Sequence, residues 1–273
     1  MLLGCDSEIE RNLKSFYDFD CQAENRWHLC TAIAKQPTSK NPMPLIYYFH
    51  GAGGSAQWQA YSSAMRSTAK VTSDLGFSIL SPSLGPVWFA LDPLSSQLRS
   101  ILEKVEKEKF GERPIERILI GDSMGAFNAF QFFKSNPKFA SKIAFLCPAF
   151  DSFFPSNEKS RQVYLARTQA NAKAANTIEQ YVKRFFKSKK TLETYHPVSQ
   201  LKKIPLPDQA NRPELFLSIG TQDDYGFFSA TNAFQKQASQ LGWKVHWHPV
   251  EGGLHCAYDQ DALNQFLGPT SAK

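Results

Sequence analysis

The sequence has little of what marks several large protein classes. It contains no apolar run long enough to cross a bilayer, so no transmembrane segment is expected. Its 273 residues include only five cysteines, an odd number with no CxxC pair. That excludes a disulfide-dense scaffold and argues against a zinc site, so no metal is expected. No G-x-x-x-x-G-K-[ST] sequence is present, and the glycine-rich loops are therefore not read as phosphate cradles. Internal repeats and low-complexity tracts are missing too, which leaves solenoid and linker readings without support.

What the chain does have is 42% hydrophobic and 21% charged residues, enough to bury one large core. Its net charge of +6 permits an anionic partner without implying one. The densest basic run, Lys183, Arg184, Lys187, Lys189 and Lys190, is broken by Phe185 and Phe186. It reads as the solvated side of a helix end, and no nucleic-acid partner is expected. Leu2-Leu3-Gly4-Cys5 resembles the end of a bacterial lipoprotein signal, but the charged and apolar regions that precede such a site are absent. As written the chain reads as cytoplasmic. A lipid anchor at Cys5, with a periplasmic or lipoprotein location, is the alternative if the true start lies upstream. Composition leaves the oligomeric state open.

Along the chain, Ser15 to Asp20 and Arg26 to Ile33 alternate polar and apolar residues, the pattern of an antiparallel hairpin at a sheet edge. A turn at Asn25-Arg26 would set Cys21 opposite Cys30, where a disulfide is geometrically allowed. Short apolar runs follow at Leu45–Phe49, Phe77–Leu80, Ile118–Ile120, Ile143–Leu146, Leu215–Ile219 and Val245–Val250, mostly of the kind buried on both faces of a parallel sheet. Helical periods lie between them. Ser96 to Phe110 carries Leu98, Ile101, Leu102 and Val105 on one stripe, with Glu103, Lys104, Glu106 and Lys107 outside it, and ends at Gly111. Met124 to Ser135 stops before Asn136-Pro137. Alternating strands and helices predict a single α/β domain over residues 1–273. The alternation lapses over 151–213, where Arg161 to Phe186 reads as helix; a cap over the active site and a helix packed beside the sheet are both compatible with it.

Four segments carry chemistry. Gly121-Asp122-Ser123-Met124-Gly125 sits where a strand runs into a helix, a turn so sharp that its flanking positions favour glycine and its serine hydroxyl protrudes. His50-Gly51-Ala52-Gly53-Gly54 follows an apolar strand; such a loop brings backbone N–H donors close to a developing oxyanion, with Ala52 first choice, Gly53 second, and Met124 as the donor after the nucleophile. His50 itself braces the loop. Gly220-Thr221-Gln222-Asp223-Asp224 supplies a carboxylate to orient an imidazole, the residues themselves leaving Asp223 and Asp224 both open. Gly252-Gly253-Leu254-His255 supplies the imidazole. The chain order Ser123, Asp223, His255 is that of α/β-hydrolases. His246 and His248 share a strand face, and metal ligation there lacks further ligands in pattern. Cys256, beside the catalytic histidine, reads as a small buried side chain because it lacks a nucleophile's turn.

On the segments YYFHGAGG, ILIGDSMGAF, LSIGTQDDYGFF and VEGGLHCAYD the chain resembles, from about Leu45 to Leu267, the esterase branch of the α/β-hydrolases that includes esterase D, S-formylglutathione hydrolases, feruloyl esterases and mycolyltransferases. The resemblance implies an eight-stranded sheet and cofactor-free acyl chemistry through a seryl ester; with the pattern along the chain, the expected fold is a mostly parallel eight-stranded sheet with helices on both faces and a helical insertion between strands 6 and 7. It also favours Asp223, by its place in G-x-x-D. The chain departs from the branch in two ways: the glycine loop lacks the cysteine that S-formylglutathione hydrolases carry after H-G, and Asp122 stands where many members have histidine.

The expectation is thus a serine esterase acting on a small-molecule ester. An acyltransferase, thioesterase or serine peptidase would use the same three residues, and a non-catalytic binding protein on the same fold is a more distant alternative. Trp88, Phe89, Phe150, Phe153 and Phe154 follow strands at their carboxyl ends, where they would line a substrate pocket or pack in the core.

Overall fold

Continuous apolar runs cannot leave one face to solvent, and the architecture covers both. The computed structural model of the chain describes residues 17–24, 26–35, 42–57, 63–112, 115–150, 162–163, 165–166, 172–205 and 212–268. Its strands are β1 (Tyr17–Glu24), β2 (Trp27–Ala34), β3 (Met43–Phe49), β4 (Ser78–Ser83), β5 (Ile115–Asp122), β6 (Lys142–Leu146), β7 (Glu214–Gly220) and β8 (Val245–Val250). They form one eight-stranded sheet in the order β1-β2-β4-β3-β5-β6-β7-β8. The β1–β2 and β2–β4 pairs are antiparallel, and every pair from β4 through β8 is parallel. In β3 all seven residues are buried. Leu45, Tyr47 and Phe49 enter one core cluster and Ile46 and Tyr48 the other, the two-residue period of a strand covered on both sides.

Helices α1 (Ser63–Asp74) and α8 (Gln260–Leu267) pack together on one face. Helices α2 (Leu94–Phe110), α3 (Met124–Ser135) and α7 (Phe228–Gln240) contribute Leu98, Leu102, Phe130 and Phe234 to the core on the other. Between β6 and β7 the chain forms α4 (Ala172–Phe186), α5 (Lys189–Tyr195) and α6 (Pro197–Leu201). Gly111 closes α2 with φ at 70°, a conformation that favours glycine. The edge hairpin pairs Cys21 with Cys30, and the two form a disulfide with Cα atoms 4.1 Å apart.

The structure differs from the sequence reading in places that have physical causes. Helices α1 and α7 bury Thr68, Thr72 and Ser73, and Ala230, Thr231, Phe234 and Ala238; small and polar residues on the inner face leave a weak hydrophobic period. Glu106, assigned to the outer face of α2, is buried because Arg117 on β5 meets it with two hydrogen bonds, Nε to Oε1 at 2.9 Å and Nη2 to Oε2 at 2.6 Å. The helix expected over 161–186 is described as α4 from Ala172, and residues 162–163 and 165–166 are helical as well. Its remaining residues, like Cys5, Phe153 and Phe154, lie outside the described residues. The basic run at the end of α4 faces solvent, with Lys183 paired to Glu179 and Lys189 near Glu193. Among the described residues no helix is long and apolar enough to cross a membrane.

Candidate active site

The carboxyl ends of β3, β5, β6, β7 and β8 bring the four chemical segments to one edge of the sheet. Ser123 falls between β5 and α3 with φ 51° and ψ −115°, a backbone region that costs a non-glycine residue on the order of 1–3 kcal/mol and needs surrounding structure to hold it. Two glycines make room for that turn. A Cβ on Gly121 would lie 2.3 Å from the Gly125 carbonyl oxygen, and one on Gly125 would lie 1.9 Å from that of Phe49. The end of β6 clamps the serine backbone: its N–H donates to Leu146 O at 2.9 Å, and its carbonyl accepts from Ala149 N at 3.0 Å.

The loop after β3 is braced from inside. His50 is fully buried, and the Trp88 indole N–H, which can only donate, points at its Nε2 at 3.1 Å. Nδ1 therefore carries the proton and donates to Gly51 O at 2.8 Å. Burial lowers the pKa of this ring, the Gly51 carbonyl opposing the shift, which suits a neutral brace. The loop's amides divide unequally. The Gly53 N–H is committed to Pro86 O at 2.7 Å, whereas among the described residues no acceptor engages that of Ala52. Of the two donors expected in this loop, Gly53 is thus the one already spent.

The two aspartates after β7 have separate tasks. Asp223, with its side chain fully buried, accepts from Tyr225 N at 2.9 Å and Phe227 N at 3.2 Å on Oδ1, and its Oδ2 lies 2.7 Å from His255 Nδ1. Asp224 accepts the backbone N–H of His255 at 3.1 Å and so fastens the loop, not the ring. The two loops touch so closely that a Cβ on Gly220 would meet Gly253 O at 2.0 Å. On its other side His255 Nε2 lies 3.0 Å from Ser123 Oγ. Tyr225 covers the ring, centroids 4.3 Å apart, and Phe227 meets it edge-on at 5.5 Å. Burial of the ring opposes its charged form, but the Asp223 carboxylate and the Cys256 sulfur outweigh burial and raise its pKa above the ordinary value.

Ser123, His255, Tyr225 and Phe227 border a cavity of about 410 Å³, which α4 also lines through Thr177, Tyr181 and Val182. The pocket reading of the aromatics divides. Phe89 lines the cavity, backed by Phe127, Phe185 and Phe186. Trp88 does not; it is buried as the brace on His50. Phe150 is core as well, packed on Phe130, Phe145 and Phe234, because the chain after β6 turns it back under the sheet's covering helices. Cys256 is not the buried filler expected: it is exposed and lines the cavity. With the buried Cys147 it places two sulfurs beside His255, all three ligand atoms lying within 4.8 Å of one another, although the cysteine spacing in the sequence suggests no such group. His246 and His248 diverge to different carboxylates, Glu214 at 3.0 Å and Asp259 at 3.7 Å.

Sheet order, the strained serine between β5 and α3, and the order of the three residues along the chain define the α/β-hydrolase fold. Solved structures share it at low identity. Esterase E25 is 15% identical with a TM-score of 0.63, covering 96% of this chain and 80% of its own. Carboxyl esterase 2 of the fungus Tuber melanosporum is 16% identical at 0.64, covering 91% and 82%, and a thermostable esterase from Pseudomonas putida is 14% identical at 0.60, covering 95% and 82%. No family model matches the chain, and no curated protein is significantly similar to it.

Proposed function

We propose that the protein is a serine-dependent carboxylic ester hydrolase working through a seryl acyl-enzyme. The observation that carries this reading is the continuous chain of contacts from Ser123 Oγ through the His255 ring to Asp223, at 3.0 Å and 2.7 Å, opening on a cavity with apolar walls. The fold it shares with proteins named esterases supports the same reading.

In the proposed reaction His255 Nε2 takes the hydroxyl proton as Ser123 Oγ attacks the ester carbonyl, and Asp223 stabilises the imidazolium through Nδ1. The Ala52 and Met124 amides receive the negative charge on the substrate oxygen; Gly53, its N–H committed elsewhere, supports the loop. The imidazolium then protonates the leaving alcohol. Water, deprotonated by the same nitrogen, releases the acid and restores Ser123. Helix α4, in the insertion between β6 and β7, serves as a cap, lining the cavity with Tyr181 and Val182 and offering them to an apolar part of the substrate. No cofactor enters this scheme.

A fluorophosphonate probe followed by mass mapping is expected to label Ser123, and Ser123→Ala is expected to abolish hydrolysis of p-nitrophenyl esters, by up to about 10⁶-fold in kcat, with the circular dichroism unchanged. Labelling at another residue, or activity retained in the variant, overturns the assignment.

A further inference from the structure

We infer that Cys147, Cys256 and His255 form an inhibitory binding site for a soft divalent cation of the zinc or cadmium type, built into the same cavity as the serine. Two sulfurs and an imidazole nitrogen are the donor set that such ions select over magnesium or calcium. Their ligand atoms lie within 4.8 Å of one another. A tetrahedral zinc ion with bonds of about 2.3 Å to sulfur and about 2.0 Å to nitrogen needs separations of roughly 3.8 Å between sulfurs and roughly 3.5 Å from sulfur to nitrogen, so closing the site asks each pair to approach by little more than about an ångström. Both cysteines sit in left-handed backbone, Cys147 at φ 39° and Cys256 at φ 65°. That conformation is unusual for a residue with a Cβ, and the fold must hold it in place.

Access and charge fit as well. Cys256 is exposed at the cavity, while Cys147 is buried behind it, so an ion entering from solvent reaches the outer sulfur first. On binding, each thiol loses its proton to solvent and a sulfur–metal bond replaces the S–H bond; two thiolates then neutralise a dication while the imidazole stays uncharged. The other two cysteines described are held in the Cys21–Cys30 disulfide and do not compete. Since His255 Nδ1 faces Asp223, the nitrogen offered to the ion is Nε2, the atom that faces Ser123 Oγ. A bound ion therefore removes the base from the serine, with Asp223 left to support the ligating ring as carboxylates do for metal-bound histidines.

The cation site stands on geometry alone, whereas its inhibitory consequence rests on the hydrolase reading, and the test separates the two. The full chain, stripped with a chelator, is titrated with Co²⁺, whose bonds to thiolate sulfur give an intense near-ultraviolet absorption that nitrogen and oxygen ligands alone do not. We expect that band to saturate at one ion per chain, to be displaced by Zn²⁺ or Cd²⁺, and to vanish in Cys256→Ser. Cys147→Ser is expected to lose it too, with circular dichroism as the check on this buried position. A band of equal intensity in the wild type and Cys256→Ser, or none in either, overturns the site. In parallel, Zn²⁺ is expected to inhibit p-nitrophenyl acetate hydrolysis reversibly, chelator restoring the rate, and to be needed at a concentration at least about tenfold higher in Cys256→Ser. Undiminished inhibition of that variant sinks the inference. A cobalt band in a protein without esterase activity leaves the cation site standing and removes the hydrolase reading; activity without a band does the reverse.

Discussion

The two sides of the cavity are held in different ways. On the serine side, position is set by backbone: the glycines at 121, 125 and 220 each lie where a Cβ would overlap a carbonyl group, and main-chain bonds tie Ser123 to β6 and the loop after β7 to that before His255. On the α4 side, the wall is made by Thr177, Tyr181 and Val182 of one helix. The difference teaches that, on the proposed reading, the reacting atoms are fixed by backbone features that tolerate almost no substitution, while part of the shape offered to a substrate is set by a half-buried helix residue, Tyr181, that can be exchanged without rebuilding the sheet.

The harshest test of this contrast is Gly125→Ala. A methyl group placed 1.9 Å from Phe49 O is expected to abolish activity and to lower the yield of folded protein, read by hydrolysis and thermal melting; a stable, active variant would show that the turn is softer than its geometry implies. Next comes the aspartate pair. Asp223→Asn is expected to lower kcat by about 10⁴-fold, as loss of the ring-orienting carboxylate does in such triads. Asp224→Ala, which releases the His255 backbone amide and leaves the carboxylate on the ring in place, should lose far less, and equal losses would erase the distinction between them.

On the α4 side Tyr181→Ala is expected to change the ratio of kcat/KM between short and long acyl p-nitrophenyl esters by about tenfold, as a pocket wall does, with little loss on the shortest. A uniform loss across the series would place Tyr181 with the reacting machinery. The smallest effect concerns pH. His255 must be neutral to accept the serine proton, so kcat/KM rises with pH through the ring's pKa; because Asp223 and Cys256 raise that pKa, the rise is expected above the pH at which an unperturbed histidine titrates. Replacing Cys256 by serine withdraws one of the two supports, and the limb should move to lower pH.

The serine side was legible in the sequence for the same reason that it is rigid. A turn that admits only glycine writes glycine into the chain, which is how G-x-S-x-G, H-G-A-G-G and G-G-L-H could be read before any coordinates, and strands buried on both faces write unbroken apolar runs. Side-chain convergence leaves no such mark. Nothing in the spacing of Cys147 and Cys256 says that they meet at His255, and Trp88 and Phe150 look like pocket aromatics until the indole is found on His50 and the phenyl ring among Phe130, Phe145 and Phe234. Glu106 reads as a solvent residue because its partner comes from β5, a strand laid against α2 only by the fold.

Lys142 holds one end of a longer suspension. Its buried ammonium donates to Phe266 O at 2.8 Å and Gly268 O at 3.1 Å at the close of α8, while Asp259, capping the start of that helix, is bonded through its own N–H to Ser218 Oγ on β7. The segment bearing the imidazole thus hangs like a bridge deck between moorings on the sheet, Gly253 at one abutment and α8 at the other. Traffic on the deck can change freely: Leu254, more than half exposed, can be exchanged while the span beneath keeps its height over the serine.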